Sequence, residues 1–247
     1  MACARFVCAL ACASLAPSVF AEPIEATFEN LVHGEIVNGQ FADVGMSIEA
    51  VNFQLAGAMP IAFDTQFINT ADPDLQGPPW SHGNLAPNTI LGNVIIVPEN
   101  MVDANNDGIV DDPDDEGARP AGELIFNFDQ VMTGFGFDVL DIEGVTQETT
   151  TVEFFLFGKS VGSVAFTDFT DPQSVFYDET IVFGNNSANR VSPIMIGDVS
   201  EGLADGYTSV TIHMGGSSAF DNIVTIPAPA SAALLGLGGL AAARRRR

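Results

Sequence analysis

Hydrophobic and polar residues alternate with a period of two in short runs along most of the chain, a pattern typical of half-buried β-strands. In the clearest run, residues 207–214, we expect Thr208, Val210, Ile212 and Met214 to share one face. The residues between them are expected to share the other face. No window sustains a helical period with capping residues, so the pattern predicts strands.

The other predicted strands are residues 24–29, 46–53, 90–97, 123–128, 134–140, 149–157, 161–167, 175–183 and 219–225. Within residues 46–53 the apolar face changes between Ala50 and Val51, which predicts a β-bulge. About ten strands in residues 22–226 predict an all-β fold, a single β-sandwich of jelly-roll type. The 19 phenylalanines are predicted to form its core.

Residues 63–120 interrupt this pattern with a stretch rich in proline, aspartate, asparagine and glycine that contains one clear strand. A connection of this length inside a compact domain is usually functional or flexible. We therefore look there first for a site.

The N-terminal segment, residues 1–21, has the order of a secretory signal peptide: Arg5, an apolar run over residues 6–15, and a small-residue exit at Ala21. We expect cleavage after Ala21. All three cysteines lie inside this segment, at Cys3, Cys8 and Cys12. The mature chain therefore lacks a thiol nucleophile, a zinc–thiolate site and disulfides.

The C-terminal segment, residues 227–247, begins with Pro227, Ala228, Pro229, Ala230 and Ser231, continues with twelve small and apolar residues, and ends with Arg244, Arg245, Arg246 and Arg247. Twelve residues fall short of the ~20 that a helix needs to cross a bilayer. A terminal arginine block is expected to stay cytoplasmic and to stop export.

This order of motif, apolar stretch and basic end resembles the PEP-CTERM sorting signal, although Ala228 replaces the glutamate usual in the tripeptide. The resemblance implies an exosortase-type processing enzyme as a partner and transient anchoring in the inner membrane through a short apolar transmembrane helix. It also implies delivery to the cell envelope, the cell surface or an extracellular exopolysaccharide matrix. A plain single-pass anchor is the alternative.

Negative charge is concentrated in the segment between the two chain ends. The formal net charge is −24, but only Arg119, Lys159 and Arg190 oppose 32 acidic residues away from the chain ends, leaving −29 there. Such a surface repels phosphate backbones, which argues against a nucleic-acid partner. It suits divalent cations or a salty medium.

One acidic stretch has the spacing of a calcium-binding loop. Oxygen side chains occupy positions 1, 3, 5, 9 and 12 of residues 103–114, glycine occupies position 6, and a backbone carbonyl is expected as a further donor at position 7. The predicted ligands are Asp103, Asn105, Asp107, Ile109, Asp111 and Asp114. The loop resembles those of dockerins and thrombospondin type 3 repeats, which implies calcium as the cofactor. A solvated acidic turn is the alternative.

The wider order of aspartate-rich turns and strands over residues 28–141 resembles a family of bacterial secreted β-sandwich modules found beside sorting signals or adhesion domains. This resemblance implies a surface or matrix module with further metal ligands among Asp64, Asp72, Asp74, Asp114 and Asp115. Glu29 and Asp221 would lie on neighbouring strands if the sandwich closes terminus to terminus. This arrangement is similar to that of jelly-roll carbohydrate-binding modules, in which a structural calcium often joins such carboxylates, and the similarity alone implies a second metal position at this pair. Solvated or capping carboxylates are the alternative for that pair.

Catalytic patterns are weak. His33, His82 and His213 are scattered without a metalloprotease or nucleophile-elbow motif, and pairs such as Asp138 and Asp141 arise by chance in an acidic chain. The sequence therefore favours a non-enzymatic, calcium-stabilised protein of the envelope or matrix. The alternatives are a carbohydrate-binding module that uses Trp80 in the long loop, and a secreted hydrolase.

Overall fold

The computed structural model describes residues 22–200 and 202–229, and these contain ten strands. The strands are β1 (Ile24–Ala26), β2 (Met46–Asn52), β3 (Ile61–Asp64), β4 (Asn93–Ile96), β5 (Gly122–Leu140), β6 (Thr151–Leu156), β7 (Lys159–Ala165), β8 (Ala188–Met195), β9 (Tyr207–Met214) and β10 (Ala219–Pro227). The α-helices are single turns, α1 (Val145–Glu148) and α2 (Ile196–Val199). Two short 3-10 turns, Ala42–Val44 and Phe166–Phe169, complete the elements. The prediction of an all-β fold is confirmed.

All strand pairs are antiparallel and form one continuous sheet in the order β3-β4-β10-β5-β9-β6-β7, with β1 on β10 and both β2 and β8 on β5. The long strand β5 organises the sheet. Its first half pairs with β2 and β9, and its second half pairs with β8 and β10.

A large irregularity bends β5 between its two halves. Asn127 and Met132 lie five positions apart on β5, yet their partners on β9, Ser209 and Tyr207, lie two positions apart. The bend brings residues from both halves together, and the rings of Phe126 and Phe135 pack with centroids 5.4 Å apart. One sheet therefore folds into two layers around a phenylalanine-rich core.

A second, smaller core lies on the outer face of the layer that contains β4. Alternate residues of β4 point to opposite sides, so Ile95 belongs to the main core and Val94 and Ile96 to the second. The long loop covers this outer face, and Leu75 and Trp80 from the loop are buried in the second core. Burial on both faces explains why residues 94–97 are a continuous apolar run.

Some predicted strand boundaries are wrong. Residues 175–183 form turns, while β8 and β3 were not predicted. Residues 123–128 and 134–140, predicted as separate strands, belong to β5. The bulge predicted at Val51 is absent, because β2 pairs with β5 without a register shift and buries Asn52 in strict alternation. The Asn52 amide donates to the Pro98 carbonyl (2.8 Å) and to Glu116 (2.7 Å), which satisfies its burial.

The predicted signal peptide and most of the predicted sorting tail, including its apolar helix, lie outside the described residues. Pro227 ends β10, and the Ala228 amide donates to the Val131 carbonyl. Within residues 22–200 and 202–229, no helix has the length and apolarity to cross a membrane.

Candidate metal centre

Three carboxylates meet where the beginning and the end of the long loop come together. Asp72, Asp114 and Asp115 each place an oxygen within 4.8 Å of the others. Among the described residues, this is the one group of three acidic or histidine side chains with that convergence. The three oxygens are therefore the strongest candidate for a metal centre in this part of the chain.

Asp72 has one oxygen in use and one without a partner. Its Oδ1 accepts hydrogen bonds from the amides of Asp74 (3.1 Å) and Leu75 (3.3 Å), in a turn anchored by the buried Leu75 side chain. Its Oδ2 is buried and has no hydrogen-bond partner, in a residue that is 7% exposed. A buried carboxylate oxygen without a donor is costly, so Asp72 is suited to bind a cation or to hold a proton.

Asp115 lies deeper than Asp114 and is linked to a fourth carboxylate. Asp115 is 5% exposed, and its backbone bridges to Pro98 just after β4. The Ser217 hydroxyl lies 3.0 Å from Oδ2 of Asp115 and 3.3 Å from Oδ2 of Asp141. One hydroxyl proton thus serves two carboxylates, which leaves the group short of donors.

The pKa values of these carboxyls show the same shortage of hydrogen-bond donors and positive charge. Burial raises the pKa of Asp114 to about 6, with Asp72, Glu99 and Asp112 adding to the effect. Burial raises the pKa of Asp141 to about 7 and raises the pKa of Asp72 and Asp115 as well. Each carboxyl resists ionisation because it is desolvated beside other carboxylates.

The basic side chains of the domain are engaged elsewhere or exposed. Arg119 pairs with Glu143 and Glu148, and Arg190 pairs with Asp138. Lys159 is exposed at the start of β7. A metal ion would supply the missing positive charge, and three carboxylate oxygens are hard ligands of the kind that calcium prefers.

The predicted ligands of the calcium loop lie at two different places in the structure. Gly108 has the left-handed conformation (φ 86°) expected at position 6. The carboxylates of Asp103 and Asp107 accept hydrogen bonds from amides of the loop itself, as does Asn105, and Asp111 accepts from the Ala104 amide. Asp103, Asp107 and Asp111 do not converge within the distance that joins the three carboxylates of the metal centre. Asp114, predicted as position 12, lies with Asp72 and Asp115.

The remaining predicted ligands do not join the three converging carboxylates, although the charge of Asp74 raises the pKa of Asp72 and Asp141. Asp64 accepts from the amide of Gln66, and Asp74 contributes its backbone to the Asp72 turn. Glu29 is exposed and Asp221 is buried near the chain ends. Asp141 and Ser217 were not predicted to belong to a metal centre, because they follow other strands and only the tertiary fold brings them close.

Trp80 is not a surface platform, which corrects its prediction as a ligand-binding residue. Its side chain is 4% exposed, lies against Gly77, and donates from Nε1 to the carbonyl of Thr89 (2.8 Å). A sugar cannot stack on a ring that the protein itself covers.

Two of the histidines and one member of the acidic pair considered for catalysis have structural partners. His213 bridges Glu123 (3.0 Å) and Glu153 (2.9 Å) across three neighbouring strands. His33 accepts at Nδ1 from the Asp64 amide. Asp138 is held by Arg190 and so does not form a catalytic pair with Asp141.

Neither a protein-family model nor a curated relative matches this sequence. Among solved structures, the chain is similar to the K2 cleaved adhesin domain of Lys-gingipain (12% identity, TM-score 0.39), over 83% of this chain and 99% of that one. It is also similar to the K1 cleaved adhesin domain of Lys-gingipain from Porphyromonas gingivalis W83 (7% identity, TM-score 0.36), over 83% and 97%. Likeness at these levels supports no conclusion about what this chain binds.

Proposed function

We propose that this chain is an exported, non-enzymatic protein of the cell envelope or extracellular matrix, and that calcium bound by Asp72, Asp114 and Asp115 stabilises its fold. The observation that carries the proposal is the buried, unpartnered Oδ2 of Asp72 beside two further carboxylates. A cation at this point links the beginning and the end of the long loop over the second core. Its role is structural, because the three ligands tie loop segments together.

Calcium fits this centre better than magnesium. Calcium accepts several carboxylate oxygens in irregular geometry, whereas magnesium demands a regular octahedron and retains its waters. Outside the cell, calcium sites with Kd of about 0.1–1 mM are filled. Export and calcium binding therefore support one another.

Calorimetric titration of the chelator-treated protein with calcium tests the centre. We expect Asp72→Asn, which keeps the size of the side chain, to weaken one binding event at least tenfold. The matched control is Asp43→Asn, an exposed carboxylate outside the cluster. Equal titrations for the wild type and Asp72→Asn would remove the basis for the proposal.

Export rests on the two chain ends. We expect the secreted protein to begin at Glu22 and to lack Arg244 to Arg247, because a signal peptidase and an exosortase-type enzyme would have acted. Mass spectrometry of released material measures both ends. An intact arginine block in released protein would contradict sorting by this route.

A second candidate function is glycan binding, at a groove of about 520 Å³ beside β8. Tyr177, which is 42% exposed, lines this groove together with Asp178, Glu179 and Asp198. An aromatic ring beside carboxylates suits a sugar, whose apolar face stacks while its hydroxyls donate hydrogen bonds. A glycan-array signal that Tyr177→Ala removes would favour this function, and an array without signal would exclude it for the glycans tested.

A further inference from the structure

A break in strand pairing lies on one edge of β10, remote in sequence from the long loop's acidic end. On this edge β4 pairs with Ala219 and Phe220, and β1 pairs with Ile223, Val224 and Thr225. Asp221 and Asn222 pair with neither strand. Because β1 and β4 run in the same direction, the end of β1 meets the beginning of β4 at this break.

The break is a local distortion of β10. The register between β10 and β5 shifts between Asp221 and Val224, and Asn222 has a left-handed backbone (φ 47°). Bulges of this kind redirect side chains at the edge of a sheet. Here the distortion accompanies a buried carboxylate, Asp221, that is 1% exposed.

Two buried oxygens at the break have no hydrogen-bond partner. One is Oδ1 of Asp221, and the other is the amide oxygen Oδ1 of Asn93, the first residue of β4. The orientation of the Asn93 amide is fixed because its Nδ2 donates to the Leu31 carbonyl (2.8 Å). An amide oxygen and a carboxylate oxygen that are both buried and both without donors are the pair that a cation would satisfy.

A second carboxylate reaches the same place from the segment after β1. The Glu29 carboxylate lies against the backbone of Gly92, where a Cβ would overlap it. Gly92 has a positive φ of 64° and directly precedes Asn93. Glycine at this position therefore lets Glu29 approach the beginning of β4.

The local charge is unbalanced. Asp221 lies opposite Asp138, whose carboxylate already accepts two hydrogen bonds from Arg190 (2.7 and 2.6 Å). The Asn222 side chain donates to Asp138 (2.8 Å) and to Oδ2 of Asp221 (2.9 Å), which leaves Oδ1 of Asp221 unserved. Asp138 and Asp221 thus share the Arg190 guanidinium, and the negative charge of Glu29 acts on Asp221 as well, so a divalent cation would neutralise the remaining charge.

We propose that a second calcium ion binds at this break, coordinated by Oδ1 of Asp221, Oδ1 of Asn93 and the carboxylate of Glu29. The ion joins the segment after β1 to the beginning of β4 on the edge of β10, and so holds the N-terminal strand in the sheet. This site shares no ligand with Asp72, Asp114 and Asp115, and its existence does not depend on the proposed function. A protonated Asp221 without an ion is the competing explanation.

Counting ions on the full chain separates the two explanations. After chelator treatment, equilibrium dialysis against radioactive calcium at pH 8 measures ions bound per chain. We expect Asp221→Asn to lose one ion relative to the wild type, and Glu29→Gln to weaken the same ion at least tenfold. Asp43→Asn, an exposed carboxylate elsewhere, is expected to bind as the wild type does.

The outcomes also distinguish this site from the Asp72 centre. Loss of one ion in Asp221→Asn with no loss in Asp72→Asn would support the site at the break and refute the Asp72 centre. Wild-type binding in both Asp221→Asn and Glu29→Gln would overturn the proposal and leave a protonated Asp221. If circular dichroism shows that Asp221→Asn does not fold, Glu29→Gln decides, because Glu29 is exposed and its replacement keeps the side chain's shape.

Hydrogen exchange supplies a local measurement. Calcium is expected to slow amide exchange in β1 at least tenfold in the wild type and in Asp72→Asn, but not in Asp221→Asn. Unchanged β1 exchange in the wild type on adding calcium would contradict a role for the ion in holding that strand.

Discussion

Single polar groups in this protein differ in how completely their hydrogen-bonding capacity is met. Asn52, Trp80 and Tyr207 are buried, and each has a partner for its donor. Asp72 and Asp221 are buried to a similar degree, and each has an oxygen with none. The burial of Asn52, Trp80 and Tyr207 is explained by packing and by hydrogen bonds within the protein. The burial of Asp72 and Asp221 requires a bound proton or a cation as well.

Tyr207 tests the contribution of one satisfied hydroxyl. Its ring is fully buried on β9, and its hydroxyl donates to the carbonyl of Gly134 on the second half of β5 (2.6 Å). Tyr207→Phe leaves that carbonyl without its donor, so we expect the free energy of unfolding to fall by about 1–3 kcal/mol. Urea unfolding measures the change. Tyr177→Phe, at an exposed ring, is the control. Equal effects of the two substitutions would contradict a stabilising role for the hydrogen bond of the Tyr207 hydroxyl.

The acidic residues of the candidate metal centre could mostly be predicted from the sequence, but their grouping in space could not. Asp72, Asp114 and Asp115 were candidates because they lie in aspartate-rich turns, and Asp114 was grouped with Asp103 by loop spacing. Its actual neighbour Asp72 lies 42 positions earlier, a contact that depends on how the long loop closes over the second core. Local spacing carries no information about such a closure.

At the scale of elements, alternation identified strands with one buried face and failed where other constraints dominate. β8 contains Asn189, Arg190 and Pro193 in place of a clear alternation, because it lies at an edge of the sheet and pairs only with β5. Residues 175–183 alternate in sequence but form turns with Val175 and Val182 exposed. Period two is therefore necessary for an amphipathic strand and not sufficient for one.

The long loop acts as a structural cover, and Trp80 tests this role. Its ring fills the second core between the loop and β4, so Trp80→Ala is expected to lower the free energy of unfolding by about 3–5 kcal/mol. Chemical denaturation followed by circular dichroism measures the loss. Ile68→Ala, at a loop residue that is 75% exposed, is expected to change it by less than about 0.5 kcal/mol. Similar values for the two variants would show that the loop does not pack as described.

At the scale of the whole molecule, burial of acidic groups links stability to pH. Asp141 and Asp221 have folded-state pKa values of about 7 and about 8, raised mainly by burial from an ordinary value near 3.8. Between these limits the folded state holds more protons than the unfolded state, so the free energy of unfolding falls as pH rises.

We therefore expect the calcium-free protein to unfold at a lower urea concentration at pH 8 than at pH 5. Calcium bound at Asp221 would displace the proton of that carboxyl, so the stabilising effect of calcium is expected to be larger at pH 8. Asp221→Asn is expected to reduce the pH dependence in chelator, and Asp43→Asn to leave it unchanged. Greater stability of the calcium-free protein at pH 8 would contradict the assignment of buried, protonated carboxyls.

The excess of negative charge could be predicted from the composition of the sequence. The all-β class could be predicted from the alternation of apolar and polar residues. The bend in β5, which converts one sheet into two layers, could not be predicted, because Asp129 and Gln130 look like a turn between two strands.

The most direct test is the melting temperature in calcium compared with sodium at matched ionic strength. A ligand that binds only the folded state adds about 2.7 kcal/mol at one hundred times Kd, which raises the melting temperature of a domain of this size by about 5–10 °C. We predict this calcium-specific rise in the wild type and in Asp107→Ala, and a clear reduction in Asp72→Asn. Equal rises in calcium and sodium, or a rise that Asp72→Asn keeps and Asp107→Ala loses, would contradict calcium binding at Asp72, Asp114 and Asp115.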